Sequence, residues 1–351
     1  VTIVSVIKNF QPGIDAILAT CKGHGLEQSQ VAAGMSGSPV YMKDPADGKY
    51  KMIGATAFGW NGSLNAVFGI QPITQMLALK GMLPGETLVE KPAAKSSARK
   101  KPAGKKAVLP PDSDFSRERF YRLLREYANK DRLKPAAVKA ATPKRPEGLT
   151  WLRTPLVLSG LGSKSIGRVR QILAPRGLVP MAGAGGAGGV DAKGLAAVQL
   201  APGATLAIPY VTGDADWVGI GTVTDVLPGG KVIGFGHSMD AAGKVDFPMC
   251  TGYIHTIIPT RFDSFKLGST IRPVGTLTRD EQTGVGGQVG MTARMIPMTV
   301  RVNQLDDKRS RTYKFKLIDN WQYTPYFASS LLSTAMGALR NPPEHHYFRY
   351  D

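Results

Sequence analysis

Ser36 stands in Gly34-Met35-Ser36-Gly37-Ser38-Pro39-Val40-Tyr41, a hydroxyl with glycines close on both sides. Glycine lets the backbone turn sharply and approach a substrate carbonyl closely. Such a turn can aim the amides of Gly34 and Ser36 at one point, where a tetrahedral oxyanion would sit. The same residues also suit a plain tight turn in a β-protein, with serines chosen for their local hydrogen bonds. The turn by itself does not decide between the two.

An attacking serine needs a base, most often histidine, whose pKa near neutrality suits proton transfer. The chain has five histidines. His345 and His346 are adjacent near the end of the sequence and poorly placed for the role. His24 lies in Gly23-His24-Gly25, read as a surface turn. His255 alternates with apolar neighbours in Tyr253-Ile254-His255-Thr256-Ile257, which fits a structural position. His237 differs: Gly234-Phe235-Gly236-His237-Ser238 puts it just past a strand end, on a backbone freed by glycines.

The elements that must position these two residues are strands. Abundant glycine (41) and proline (25), with valine, isoleucine and threonine in short runs, favour many strands and turns over a helical bundle. Residues 1–80 read as a first β module, with strands over 1–7, 15–20 and 51–60 and a short helix over 73–79. A second module, 149–303, carries strands over 205–210, 218–226, 231–235, 253–258, 286–290 and 298–302, with a glycine-rich loop at 182–189. Residues 304–351 read as an extension that is truncated, and a start within a strand-like run suggests a fragment of a longer precursor. The expected fold class is mainly β: two antiparallel modules joined by a basic, partly helical connector over 81–148.

The formal net charge is +18, yet 17 lysines and arginines against 5 acids fall between residues 91 and 145, so the excess is concentrated there. From Lys91 to Lys106 the chain is low-complexity and poor in large apolar residues, as a solvated linker is. An amphipathic helix is expected at 115–129, where Phe120, Leu123, Leu124 and Tyr127 share a face. The basic run has little aromatic interleaving and no nucleic-acid motif, so nucleic acid is not an expected partner. A tether to an acidic envelope polymer accounts for the charge equally well. Cys21 and Cys250 leave room for one bridge but not for a disulfide framework, and no Cys/His spacing suits a metal. No apolar run reaches the roughly 20 residues of a membrane span.

Further motifs accompany the two turns. Val31-Ala32-Ala33 leads into the serine turn, and Ile53-Gly54-Ala55 and Gly69-Ile70-Gln71-Pro72-Ile73 follow it. Gly219-Ile220-Gly221-Thr222-Val223-Thr224 leads to the histidine, followed by Ser264-Phe265-Lys266-Leu267, Gly275-Thr276-Leu277 and Met295-Ile296-Pro297. Together these resemble the stage IV sporulation protein B serine peptidases, over roughly residues 1–79 and 149–303. The resemblance implies a chymotrypsin-like double barrel with its site between the barrels. It also implies Ser36 as nucleophile in preference to Ser38, His237 as general base, Gly34 and Ser36 as oxyanion-hole amides, a protein or peptide substrate, and no cofactor or metal.

Two departures from that family are visible. The serine segment here precedes the histidine segment, the reverse of the sporulation peptidase. This resembles a circularly permuted branch of bacterial envelope proteins and implies export to the periplasm or envelope. The family's orienting aspartate lies fifteen residues before the serine, where this chain has Cys21, and a thiol is a weak acceptor. Asp15, Asp240 and Asp246 are candidate substitutes that spacing does not separate. The expected activity is therefore a serine endopeptidase of limited turnover, regulatory or self-processing. The alternative is a catalytically silent structural or binding protein with the same fold.

Overall fold

The computed structural model describes residues 1–60, 63, 65–84, 148–160, 166–167, 169–170, 173–174, 177–183, 192–260, 264–304 and 309–337. Val1–Thr87 and Glu147–Asp351 group as one compact unit, and residues 88–146 lie outside the described residues. The expected linker at 91–106, the helix at 115–129, most of the loop at 182–189, and His345 and His346 also lie outside them.

The first sheet contains β1 (Thr2–Gln11), β2 (Ile14–Thr20), β3 (Pro39–Lys43), β4 (Tyr50–Trp60), β5 (Val67–Pro72) and β6 (Leu149–Trp151). Its order is β1-β2-β5-β4-β3, with β6 added on β4, and every pairing is antiparallel. Residues 149–151, assigned by composition to the second module, thus complete the first sheet. After β5 the expected helix is a single turn, Ile73–Met76, that tightens into the 3-10 turn Leu77–Met82. Met76, Leu79 and Leu83 pack there with Ala55 and Ile233, so apolar contact ties this turn to the second sheet.

The second sheet contains β7 (Thr154–Leu158), β8 (Leu178–Ala182), β9 (Thr205–Gly213), β10 (Trp217–Leu227), β11 (Lys231–Gly234), β12 (Gly243–Ile258), β13 (Phe265–Glu281), β14 (Gly284–Val289), β15 (Met295–Gln304) and β16 (Arg309–Ile318). Six of these close a ring, β9-β12-β13-β14-β11-β10, because β9 also pairs with β10. The remaining strands extend it: β7 and then β8 from β10, and β16 and then β15 from β9. Only the second sheet closes in this way; the first is a half-barrel, and the chain is mainly β.

An aromatic cluster fills the interior of the second sheet. Tyr210 contacts Phe247, Tyr323 and Phe327, and Trp217 meets Phe327 edge-on with ring centroids 5.1 Å apart. The helix Thr324–Gly337 supplies Phe327, Leu331 and Ala335, which recur at four-residue spacing and are all buried. Proline in its first turn suits a helix start, where the missing N–H has no partner to lose. Asn320 Oδ1 accepts the amides of Gln322 and Tyr323 just before it. Truncating an aromatic side chain in such a core costs about 3–5 kcal/mol. Phe327→Ala is therefore expected to lower the denaturant midpoint by that equivalent, whereas Leu332→Ala, on the exposed face, should leave it nearly unchanged.

Candidate active site

The serine turn is held from both sheets at once. On one side Gly37 N donates to Thr56 O of β4 (2.7 Å), and Thr56 N donates to Ser38 O (2.9 Å). On the other, Thr222 N of β10 donates to Ser36 O (2.9 Å), Thr222 Oγ1 to Gly34 O (3.1 Å) and Thr224 Oγ1 to Gly37 O (2.8 Å). Thr222 and Thr224 are two residues apart on one strand and so present the same face. Lys266 Nζ donates to Thr222 Oγ1 (3.1 Å), and burial pulls this lysine down to about 8. Thr222 is therefore the hub of the turn, accepting from Lys266 and Ser38 while donating to Gly34.

These bonds consume the carbonyls of residues 34, 36 and 37 and leave two amides uncommitted. Among the described residues, the N–H groups of Gly34 and Ser36 donate to nothing, while those of Met35, Gly37 and Ser38 are satisfied. They are the pair expected to form an oxyanion hole. Gly37 is obligatory for steric reasons. Its φ is +90°, and a Cβ there would lie 2.1 Å from Thr222 O and 2.4 Å from Phe235 N.

The histidine turn docks on the same strand. A Cβ on Gly236 would lie 3.1 Å from Thr56 O and 3.2 Å from Ala57 Cβ, so both turns converge at Thr56. Phe235, which precedes it, takes a left-handed conformation at φ +64° although it is not glycine. That geometry costs about 1–2 kcal/mol and is held by full burial of the ring and by Phe235 N donating to Thr222 O (3.1 Å). The β11 strand consequently ends at Gly234, one residue earlier than the sequence suggests. It releases His237 beside the serine turn, with Trp151 of β6 at a ring-centroid distance of 5.7 Å.

His237 Nδ1 lies 2.6 Å from Ser238 O. A carbonyl only accepts, so Nδ1 carries the proton and Nε2 is left with its lone pair, the tautomer a general base needs. Nε2 has no hydrogen-bond partner, and neither does Ser36 Oγ. Both residues are buried, at 2% and 0% exposed. Leaving a buried polar atom unsatisfied costs about 1–3 kcal/mol, and here the two atoms lie on converging turns without hydrogen-bonding to each other. Burial also pulls His237 down to about 4, against the small upward pull of its bond to Ser238.

None of the candidate acids takes the orienting position, which a backbone carbonyl occupies instead. Asp15 binds Lys8 Nζ (2.8 Å) and Asn9 N (3.0 Å), Asp246 accepts Arg294 N (3.2 Å), and Asp240 accepts the Tyr323 hydroxyl. Cys21 and Cys250 are free thiols, and Cys21 Sγ donates to Ala66 O. His24 is exposed with φ +54°, and His255 Nε2 lies 3.1 Å from Ser269 Oγ. Sequence reasoning missed Thr222, Thr224, Lys266 and the buried Asp280, which accepts backbone amides from the loop after His237. The Thr-x-Thr alternation of β10 was a usable signal for the first two. A groove of about 580 Å³ opens beside that loop, lined in part by Asp240, Lys244, Asp246 and Trp321, and neither Ser36 nor His237 lines it.

No family model matches the chain, and no curated protein or solved structure matches it either. Among the described residues no group of acidic, histidine and cysteine side chains is arranged to hold a metal, and no helix is long and apolar enough to cross a membrane.

The buried histidine has a thermodynamic signature. Its folded value of about 4 lies below the roughly 6.5 of an exposed histidine, so between these pH values only the unfolded chain binds the proton. Stability from this group is present above pH 6.5 and is lost as pH falls toward 4, by roughly 3 kcal/mol. Asp280, lifted to about 6 mainly by burial, runs the other way and masks the effect in the intact protein. The stability difference between wild type and His237→Gln should therefore shrink by roughly 3 kcal/mol between pH 7 and pH 4, measured by urea unfolding at each pH. A constant difference would place the imidazole in contact with water.

Proposed function

We propose that this chain is a serine endopeptidase of low turnover, regulatory or self-processing, in which Ser36 attacks and His237 accepts its proton. The observation that carries this reading is the pair of unpartnered buried atoms, Ser36 Oγ and His237 Nε2, on two turns that meet at Thr56. The imidazole tautomer and the uncommitted Gly34 and Ser36 amides are what acyl transfer requires of the remaining parts. The closed six-stranded ring and the half-barrel stitched to it are compatible with a permuted relative of the stage IV sporulation protein B peptidases, with a chymotrypsin-like arrangement of barrels. On this reading the protein acts on a peptide or protein substrate in the bacterial periplasm or envelope. The basic run from Lys91 to Lys106 then serves as a contact for an acidic envelope polymer.

Low turnover follows from two features. No carboxylate touches His237, and converting that aspartate to an amide in the well-studied triad costs about 10⁴ in rate. The serine is also covered, so a substrate must displace whatever shields it. The full burial of Ser36 and His237 favours a second reading as well, a catalytically silent protein that keeps the peptidase core for binding or structure.

A fluorophosphonate probe separates the two. Slow labelling at Ser36, located by peptide mass mapping, is expected in the wild type. It should be abolished in Ser36→Ala, reduced by at least about 100-fold in His237→Gln, and retained in Ser38→Ala. Absence of labelling in folded wild-type protein would establish the silent alternative.

A further inference from the structure

Asp280 lies in β13 at the mouth of the β13–β14 hairpin, 1% exposed, with no lysine or arginine paired to it among the described residues. Its carboxylate is spent on one loop. Oδ1 accepts Met239 N at 2.7 Å, while Oδ2 accepts Asp240 N at 2.9 Å and Ala242 N at 3.2 Å. The Met239 N–H and the Ser238 C=O belong to the same peptide group. That group accepts the His237 Nδ1 proton at its oxygen and donates from its nitrogen to Asp280. A continuous line therefore runs from imidazole to peptide to carboxylate.

We infer that Asp280 is the missing acid of the site, a positioning residue that orients and polarises His237 through the Ser238–Met239 peptide group. This rests on the reading of Ser36 as nucleophile and His237 as base. In the attack step the Ser36 Oγ–H bond breaks and an Nε2–H bond forms. The Nδ1 proton and the Met239 amide proton stay where they are. What changes is charge: the imidazolium becomes a stronger donor to Ser238 O, and the anionic carboxylate behind the peptide strengthens that oxygen as an acceptor. Three amide donors also fix the loop that aims the ring. The resemblance places Cys21 where the family's aspartate stands; here an acid 259 residues further along the chain does the corresponding work through one peptide unit.

The charges around Asp280 set how it titrates. Asp240 faces it from the same loop and pushes its pKa up, adding to the effect of burial. From β9 comes the Tyr210 hydroxyl, buried and without a hydrogen-bond partner, and Tyr323 sits against both Tyr210 and Asp240. On β12, Gly243 is the residue opposite Asp280, and Lys244 follows it.

The test uses intact protein labelled with ¹⁵N-histidine, with the His237 signals assigned by their loss in His237→Gln. Across pH 4.5–8 the ring should hold the Nδ1–H tautomer and show a chemical-shift step near pH 6, where Asp280 ionises. That step should vanish in Asp280→Asn and persist in Asp240→Asn, its midpoint moved to lower pH by loss of the neighbouring charge. No step in the wild type, or a step that follows Asp240, overturns the assignment even if Asp280→Asn fails to fold. In parallel, fluorophosphonate labelling of Asp280→Asn should fall about 10- to 100-fold, less than when a directly bonded acid is lost. An unchanged rate also overturns it. A wild type that never labels defeats the peptidase reading alone, because the pH step then still decides whether Asp280 acts on His237.

Discussion

The contact between the two sheets at the serine turn depends on Gly37 having no side chain. The turn that carries Ser36 is pressed between Thr56 of β4 and the Thr222–Phe235 region of the second sheet, with backbone contact on both sides. Any Cβ at that point would overlap a carbonyl oxygen and an amide nitrogen, so the two sheets would separate rather than adjust. Once they are in contact, the carbonyls of residues 34, 36 and 37 are claimed by Thr222 and Thr224, while the Gly34 and Ser36 amides stay uncommitted. The interface between the sheets and the geometry of the candidate oxyanion hole are therefore one structure.

Burial imposes the second constraint. An imidazole held at about 4 is neutral across the physiological range and free to accept a proton, but the imidazolium that acceptance creates is disfavoured by the same burial. A direct aspartate would normally offset that cost. Here the bond to Ser238 O supplies the tautomer and part of the stabilisation, and charge must arrive from further away. The fold accepts two unsatisfied polar atoms and a left-handed Phe235 at this spot. Lys266, lowered to about 8 and bonded to Thr222, adds positive charge behind the turn, where developing negative charge on a substrate would benefit from it.

Much of the strand layout was legible from two patterns: β2 alternates buried and half-buried residues, while β9 and β10 are short apolar runs buried along most of their length. Length was not. In β12 only residues 253–258 stood out, since Pro248 and the charged residues near its start break the pattern, and the pairing with β13 tolerates this through repeated bulges. The helix Thr324–Gly337 carries apolar or small residues around most of its surface, so its four-residue spacing is faint until Phe327 is seen against Trp217. Of the site, the serine and histidine turns were readable because glycine marks an unusual backbone. Thr222 was half-readable from its alternation with Thr224. Asp280 was not readable at all: in Thr278-Arg279-Asp280-Glu281 it looks like one more solvated charge before a hairpin turn, and only the fold turns it inward.

That last contrast bears on how such a site can lose its acid and keep its chemistry. A carboxylate bonded directly to an imidazole must sit at one particular residue, so a single substitution removes it outright. A carboxylate acting through a peptide group has only to reach the loop that carries the histidine, and three amides spread over residues 239–242 make a broad target. Asp280 reaches it from the hairpin beside β11, within the same closed ring that releases His237. On the proposed reading the acid and the base belong to one sheet, and the serine turn leads into β3 of the other. Thr56 of the first sheet is where both turns meet, since Gly37 donates to its carbonyl and Gly236 packs against the same oxygen, so the contact between the sheets and the pairing of serine with histidine are one event in space.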